Sequence, residues 1–191
     1  LLGLVLSYKA GVALATGMLR PWLADRGLDL VDVAWLLGTV GFVAGLAGAL
    51  AGGALVNLLG RRRALLLFGL GQALSVAGYA YLALVPTAPL ALYAICALEH
   101  GASGMATATL FTCMMDWCSS DSSATDYTVQ ASAVVVATTV AAALSGFSAE
   151  AVGYPGHFVL STLASFAALR AVWRWFPRAG EPAWANVADR R

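Results

Sequence analysis

Charge is what this sequence has least of. Asp, Glu, Lys and Arg make up 11% of its 191 residues, against about 25% in soluble domains. A chain so poor in charge cannot cover a water-facing surface. With 60% hydrophobic residues and a mean hydropathy of +0.79 it reads as an integral membrane protein. The net charge of +1 says nothing about nucleic acid, but there are no basic clusters interleaved with aromatics, so no nucleic-acid partner is expected. Cysteine is also scarce, and its count of three is odd. Cys96 lies inside an apolar run, with Cys113 and Cys118 toward its far end, a spacing that suggests no metal site and predicts plain reduced thiols. No cofactor is implied. There is no Met and no charged region ahead of the apolar stretch that begins at Leu1, so the opening does not fit a signal peptide and reads as a piece of something longer.

What is there instead is apolar length. Six spans can be read off, separated by turn signals or charge, at about 1–19, 33–59, 64–85, 90–115, 127–152 and 157–176. Arg20-Pro21-Trp22 closes the first, Gly60-Arg61-Arg62-Arg63 the second, and Gly153-Tyr154-Pro155-Gly156 turns the fifth into the sixth. A polar tail follows at 177–191. Backbone in lipid must satisfy its own hydrogen bonds, so the fold class is all-α: a polytopic, six-helix membrane domain.

Arginine placement predicts orientation. Arg61, Arg62, Arg63, Arg174, Arg178, Arg190 and Arg191 fall on one side, and Arg20 and Arg26 on the other. The first side is expected to be cytoplasmic, with both chain ends there. Trp22, Trp35, Trp117, Trp173 and Trp175 sit near span ends, as an interfacial belt would. Gly41/Gly45 and Gly48/Gly52 repeat at four-residue spacing and let helix backbones approach closely in lipid. The small residues of the fifth span predict a similar packing face.

Against that background, ionisable groups inside spans stand out. Glu99 and His100 fall mid-way through the fourth span, in Glu99-His100-Gly101-Ala102-Ser103-Gly104-Met105-Ala106-Thr107. Lys9, beside Tyr8, lies eleven residues before Arg20, and Glu99 ten past Pro89. By helix rise both are roughly 15 Å deep from the same face, so they can pair or share a cavity. A serine-protease reading also arises, because Gly101-Ala102-Ser103-Gly104 and His157 resemble the serine–histidine pair of rhomboid intramembrane proteases. Depth opposes it: Ser103 lies roughly 21 Å down its helix, whereas His157 is at the outer end of its own. A general base must come within about 3 Å of its nucleophile. Here Gly101 and Gly104 mean close packing.

The loop Gly53-Ala54-Leu55-Val56-Asn57-Leu58-Leu59-Gly60-Arg61-Arg62 resembles the G-x-x-x-D-R-x-G-R-R signature of the major facilitator superfamily, with Asn57 for the Asp and Leu58 for the Arg. That family carries a degenerate copy between helices 8 and 9. The chain is therefore expected to be helices 7–12 of a twelve-helix transporter. Tyr8-Lys9-Ala10-Gly11 and Glu99 through Thr107 resemble the branch holding AmpG-type muropeptide permeases and acetyl-coenzyme A transporters. Ala124-Thr125-Asp126-Tyr127-Thr128-Val129-Gln130-Ala131-Ser132, Leu144-Ser145-Gly146 and Gly153 through Phe158 look closest to the RhtX/FptX siderophore permeases.

The resemblance implies that the first and fourth spans line a central cavity. Lys9 and Tyr8 would there meet Glu99 and His100, Lys9 binding an anionic group and Glu99 carrying the coupling proton. It implies proton-coupled import of a siderophore or iron chelate across a bacterial inner membrane, or of muropeptides or acyl-coenzymes. A non-transporting scaffold or fragment stays open, since half a transporter lacks half its cavity walls. The partners implied are a small anionic solute, the bilayer and an N-terminal six-helix half. Asn57, Gly60, Arg61 and Arg62 would form a cytoplasmic gate, with Asp116, Asp121 and Asp126 either its partners or a solvated loop.

Overall fold

The computed structural model describes residues 2–86 and 88–176, and every regular element among them is helical. The first rod, Leu2–Asp25, is built of α1 (Leu2–Tyr8), α2 (Ala10–Gly17) and α3 (Leu19–Asp25). It breaks at Lys9 (φ −98°, ψ −9°) and at Met18 (φ −105°, ψ 4°). Arg20-Pro21-Trp22 does not end it, contrary to the sequence expectation. Pro21 falls in the first turn of α3, where a backbone N–H has no intrahelical partner to lose.

The second span starts earlier than expected, at α4 (Leu30–Val33), because Asp29 caps it: its Oδ1 accepts from the Asp32 N–H at 2.7 Å. A π-helical stretch, Ala34–Val40, then leads into α5 (Gly41–Leu59). Gly60 ends α5 in a left-handed conformation (φ 79°, ψ 149°) that favours glycine. Arg61 to Arg63 are not loop residues but the first turn of α6 (Arg61–Leu84). Pro89 opens α7 (Pro89–Asp116), where its missing N–H costs nothing. The last element, α8 (Ser123–Trp175), is two limbs folded at Gly153 (φ 68°, ψ 171°), with Pro155 in the first turn of the second limb. The four-residue turn expected at 153–156 thus reduces to one glycine. Tyr127 and Val172 share one apolar cluster, and the Trp117 and Phe176 rings are 5.6 Å apart. The limbs therefore run antiparallel. The tail residues Arg178, Arg190 and Arg191 lie outside the described residues.

Four of the described helices are long and apolar enough to cross a membrane: Leu2–Asp25, Leu30–Leu59, Arg61–Leu84 and the folded Ser123–Trp175. α7 has the length, 28 residues, but Glu99, His100 and its threonines lower its hydropathy. It is wrapped by protein instead. α5 packs along one side of α7 and α6 along another; the first rod lies against both limbs of α8.

Two apolar clusters stack along the bundle. One, at the Arg20 end, centres on Trp22, Tyr79 and Phe158, with ring centroids 5.2 to 6.0 Å apart. The other, at the Arg61 end, includes Tyr8, Leu65, Phe68, Ala106, Leu110 and Met114. The first rod, α6 and α7 each carry a polar residue where they cross from one cluster to the other. The order is Tyr8–Lys9–Val12 in the first rod, Phe68–Gln72–Val76 in α6, and Ala106–Ser103/Glu99–Cys96 in α7. The candidate site is this polar layer.

A candidate solute and proton cavity at mid-height

Lys9 stands at the break between α1 and α2 and is 9% exposed. Its Nζ donates to Gln72 Oε1 at 3.0 Å and to Ser103 Oγ at 2.9 Å, with the Ser103 carbonyl oxygen at 3.5 Å. A buried ammonium is tolerable only if so solvated. Glu99, 2% exposed, faces its neighbour instead: Oε2 lies 2.9 Å from His100 Nδ1. The same Nδ1 is 3.0 Å from the Cys96 carbonyl oxygen. A carbonyl can only accept, so Nδ1 carries the hydrogen and shares it between the two oxygens. The far edge of the ring lies against Gly41, where a methyl group would come within 2.7 Å of Cδ2 and Nε2.

These groups surround one cavity of about 570 Å³, a size suited to a small organic solute. The first rod contributes Lys9 and Thr16, α5 contributes Gly41 and Gly45, α7 contributes Glu99, His100, Ser103 and Thr107, and α8 contributes Thr138. Lys9 and Glu99 thus share a cavity, as one of the two sequence expectations had it. They are not within ion-pair distance of each other: the pairs among the described residues are Glu99–His100 and Arg61–Asp116.

The other candidate residues fall as follows. Tyr8, expected in the cavity, turns away from it; its hydroxyl donates to the Leu65 carbonyl oxygen at 2.7 Å within the lower core. Gly41, Gly45, Gly48, Gly52, Gly101 and Gly104 form the α5–α7 seam. A methyl group on Gly48 would overlap the Gly101 carbonyl, one on Gly104 the Gly45 carbonyl, and one on Gly52 would lie 2.6 Å from Met105 Cα. At the end of the bundle marked by Gly60, Arg61 Nε donates to Asp116 Oδ2 at 2.8 Å and Nη1 to Asn57 Oδ1 at 2.8 Å, while Arg62 donates to the Trp173 carbonyl at 2.7 Å. Asp126 serves its own loop, accepting from the Ser119 N–H at 2.9 Å and hydroxyl at 2.8 Å. Ser103 and His157 are not brought together: Ser103 holds Lys9, and His157 Nδ1 lies 2.6 Å from Ser148 Oγ.

Besides the lining threonines Thr16 and Thr138, two hydrogen-bonding contributors escaped the sequence reading. Gln72 was detectable as the one amide in the apolar third span, a residue type that hydrogen-bonds across helices in lipid. Cys96, one turn before His100, orients that ring through its carbonyl and carried no signal beyond the spacing.

The comparisons with known proteins give the family. The whole chain, residues 1–191, matches the family model of the Major Facilitator Superfamily. It is 30% identical over 163 residues to the anhydromuropeptide permease of Escherichia coli K12, an alignment covering 85% of this chain and 33% of that protein. It is 24% identical over 165 residues to AmpG 4 of Rickettsia felis, described as a transporter, covering 86% of this chain and 40% of that one. The chain thus spans about a third of the length of the E. coli relative. An all-helical membrane fold, a seam of small residues, a buried charged layer around a cavity and a match along the full length lead to one conclusion: the chain belongs to the major facilitator superfamily.

Proposed function

We propose that this chain is the C-terminal six-helix half of a proton-coupled importer of anhydromuropeptide-type solutes, working with an N-terminal half that supplies the remaining cavity walls. One observation carries the reading: Lys9 and the Glu99–His100 pair face a common cavity of about 570 Å³ from different helices without neutralising each other directly. Lys9 binds an anionic group of the solute. Glu99 exchanges the coupling proton, with His100 as its hydrogen-bonded neighbour.

The coupling follows from charge. With His100 neutral, ionised Glu99 and Lys9 leave the cavity at net zero. Protonating Glu99 leaves it at +1 and frees the His100 N–H for another acceptor, so a proton and an anionic solute each favour binding of the other. The arginine distribution supports a cytoplasmic position for the Arg61 end, in a bacterial inner membrane, with Arg61, Asn57, Gly60 and Arg62 as its gate. The relatives named above favour muropeptide over siderophore as the solute class.

The test is transport by the two halves together in proteoliposomes. Glu99→Gln should abolish pH-driven accumulation of a labelled anhydromuropeptide while preserving exchange of internal for external solute. Normal uphill uptake by that variant would refute the proton role.

A further inference from the structure

The mid-height cavity does not end at Thr16. A second depression, of about 500 Å³, shares Ala13, Thr16 and Thr138 with it and continues between the first rod and α8 as far as Arg20. Lys9, Ala13, Thr16 and Arg20 follow one another at spacings of four, three and four residues, which keeps them on one helix face. From Lys9 to Arg20 that face rises roughly 16 Å. The crevice has a closed floor, because the first rod meets α8 at Gly17, where a methyl group would lie 3.2 Å from Ala142 Cα.

Both ends of this path are cationic, and no acid is spent on either. Lys9 is held by the neutral Gln72 and Ser103. Arg20 is exposed and makes neither a hydrogen bond nor an ion pair among the described residues. Asp25, later in the same rod, accepts from the Tyr154 hydroxyl at 2.6 Å instead. Glu150 of α8 is not within ion-pair distance of Arg20, and Glu99 stands at the Lys9 end with His100. Between the cations the walls carry threonines. The Thr16 hydroxyl donates to the Val12 carbonyl at 2.9 Å, that of Thr138 to the Val134 carbonyl at 2.9 Å, and that of Thr107 to the Ser103 carbonyl at 2.7 Å. A hydroxyl has one hydrogen to give. With it committed to the helix, what faces the cavity is an acceptor.

We infer that the depression at Arg20 is a second anion subsite of the solute cavity. It selects an elongated solute with an anionic group at each end and hydrogen-bond donors, amide N–H or sugar O–H, between them. This rests on the transport reading above and adds to it a charge order: anion at Lys9, donors along the threonines, anion at Arg20. An exposed guanidinium can also hold the phosphate of a lipid headgroup, since the shared chemistry is an oxyanion. The row of acceptors leading from Lys9 to Arg20 favours the solute, because a headgroup at Arg20 would leave those acceptors unused.

The paired halves in proteoliposomes test this with an anhydromuropeptide bearing two peptide carboxylates, and with two derivatives in which one or the other is a carboxamide. Arg20→Gln should raise the KM of the parent compound about tenfold, the worth of one hydrogen bond to a charged group. Vmax should stay within about twofold, as expected for loss of uniform binding. Arg20→Lys, which keeps the charge, should bring the KM back to within about threefold of wild type. For one of the two carboxamides, measured as a competitor of parent uptake, Arg20→Gln should change the Ki by less than about twofold, because the group that Arg20 binds is gone. Thr16→Val should raise the parent KM about threefold, and Thr16→Ser, which keeps the acceptor, should not. An unchanged parent KM in Arg20→Gln would overturn the inference. So would an equal rise for the parent and both carboxamides, the result expected if Arg20 holds a lipid phosphate. A wild-type protein that moves no anhydromuropeptide would instead overturn the transport reading, and the two failures are told apart by that control.

Discussion

Two glycines in one helix should respond to the same substitution with opposite sign. Gly48 faces α7, and a methyl group there would meet the Gly101 carbonyl, 2.8 Å from its carbon and 2.9 Å from its Cα. Gly53, five residues on, has nothing within 4 Å. Carbon atoms pack at about 3.5–4.0 Å, so Gly48→Ala must part α5 from α7 by roughly 0.7 Å or more. The seam cannot flex locally, because the position expected for a methyl on Gly52 is already 2.6 Å from Met105 Cα and that on Gly104 is 2.9 Å from the Ala49 nitrogen. Overpacking of this kind costs about 1–3 kcal/mol. Against it stands the gain of replacing a helical glycine by alanine, about 0.5–1 kcal/mol. Gly48→Ala is therefore expected to destabilise by about 1–2 kcal/mol and Gly53→Ala to stabilise by roughly 0.5 kcal/mol or more. The assay is reversible unfolding in mixed micelles, followed by far-ultraviolet circular dichroism. Transport should fall with Gly48→Ala, since α5 also carries Gly41 against His100, and stay unchanged with Gly53→Ala. Equal shifts of the same sign in the two variants would refute the close-contact argument.

Further outcomes follow from the charged groups. Lys9→Met should abolish transport and leave a folded protein of lower thermal stability, because Gln72 and Ser103 lose their shared donor; Lys9→Arg should not restore transport, since a planar guanidinium cannot occupy the site of a compact ammonium. Transport by Lys9→Met at wild-type rates would exclude it as the anion site. Arg61 and Asp116 are 36% and 45% exposed as side chains, so a double-mutant cycle with Arg61→Gln and Asp116→Asn should give a coupling below about 1 kcal/mol; a larger value would mean the pair is buried in the working state. Burial, and then the Asp126 carboxylate, push the Cys118 thiol above its ordinary value, which leaves less thiolate at a given pH. Alkylation by iodoacetamide at pH 8 should be slower than for an unhindered cysteine, and Asp126→Asn should speed it; no acceleration would show that access rather than charge limits the reaction.

The membrane helices were legible because hydropathy needs no tertiary information. Their ends were not. Pro21 reads as a stop, yet a proline in a first turn disturbs nothing, and α3 runs on to Asp25. Arg61 to Arg63 read as a loop because charge interrupts the apolar run, although arginine is a good helix former. The π-helical stretch Ala34–Val40 has no mark in Ala34-Trp35-Leu36-Leu37-Gly38-Thr39-Val40 that separates it from ordinary α-helix; its wider turn is visible only against Cys96. Depth counting placed Lys9 and Glu99 in one layer because helix rise is nearly constant. Counting says nothing of azimuth, and so Tyr8, one residue from Lys9, was assigned to the cavity although it points to Leu65. Gln72 was passed over because the search was for charge, whereas the structure uses a neutral amide to hold the charge in place.

That choice of neutral partners bears on what the layer can do. Lys9 is the one lysine of the chain. A direct bond from its ammonium to Glu99 would satisfy both groups and cancel most of the field that a solute could sense. Gln72 and Ser103 satisfy the ammonium without removing its charge. His100 does the corresponding service for Glu99, its Nδ1 lying 2.9 Å from Oε2. The lysine and the carboxyl group are thereby buried with separate hydrogen-bonding partners, an arrangement that burial makes costly. On the transport reading proposed above, a cavity that accepts an anion and a proton and then releases both is served by such an arrangement, because Lys9 and Glu99 each keep a partner of their own.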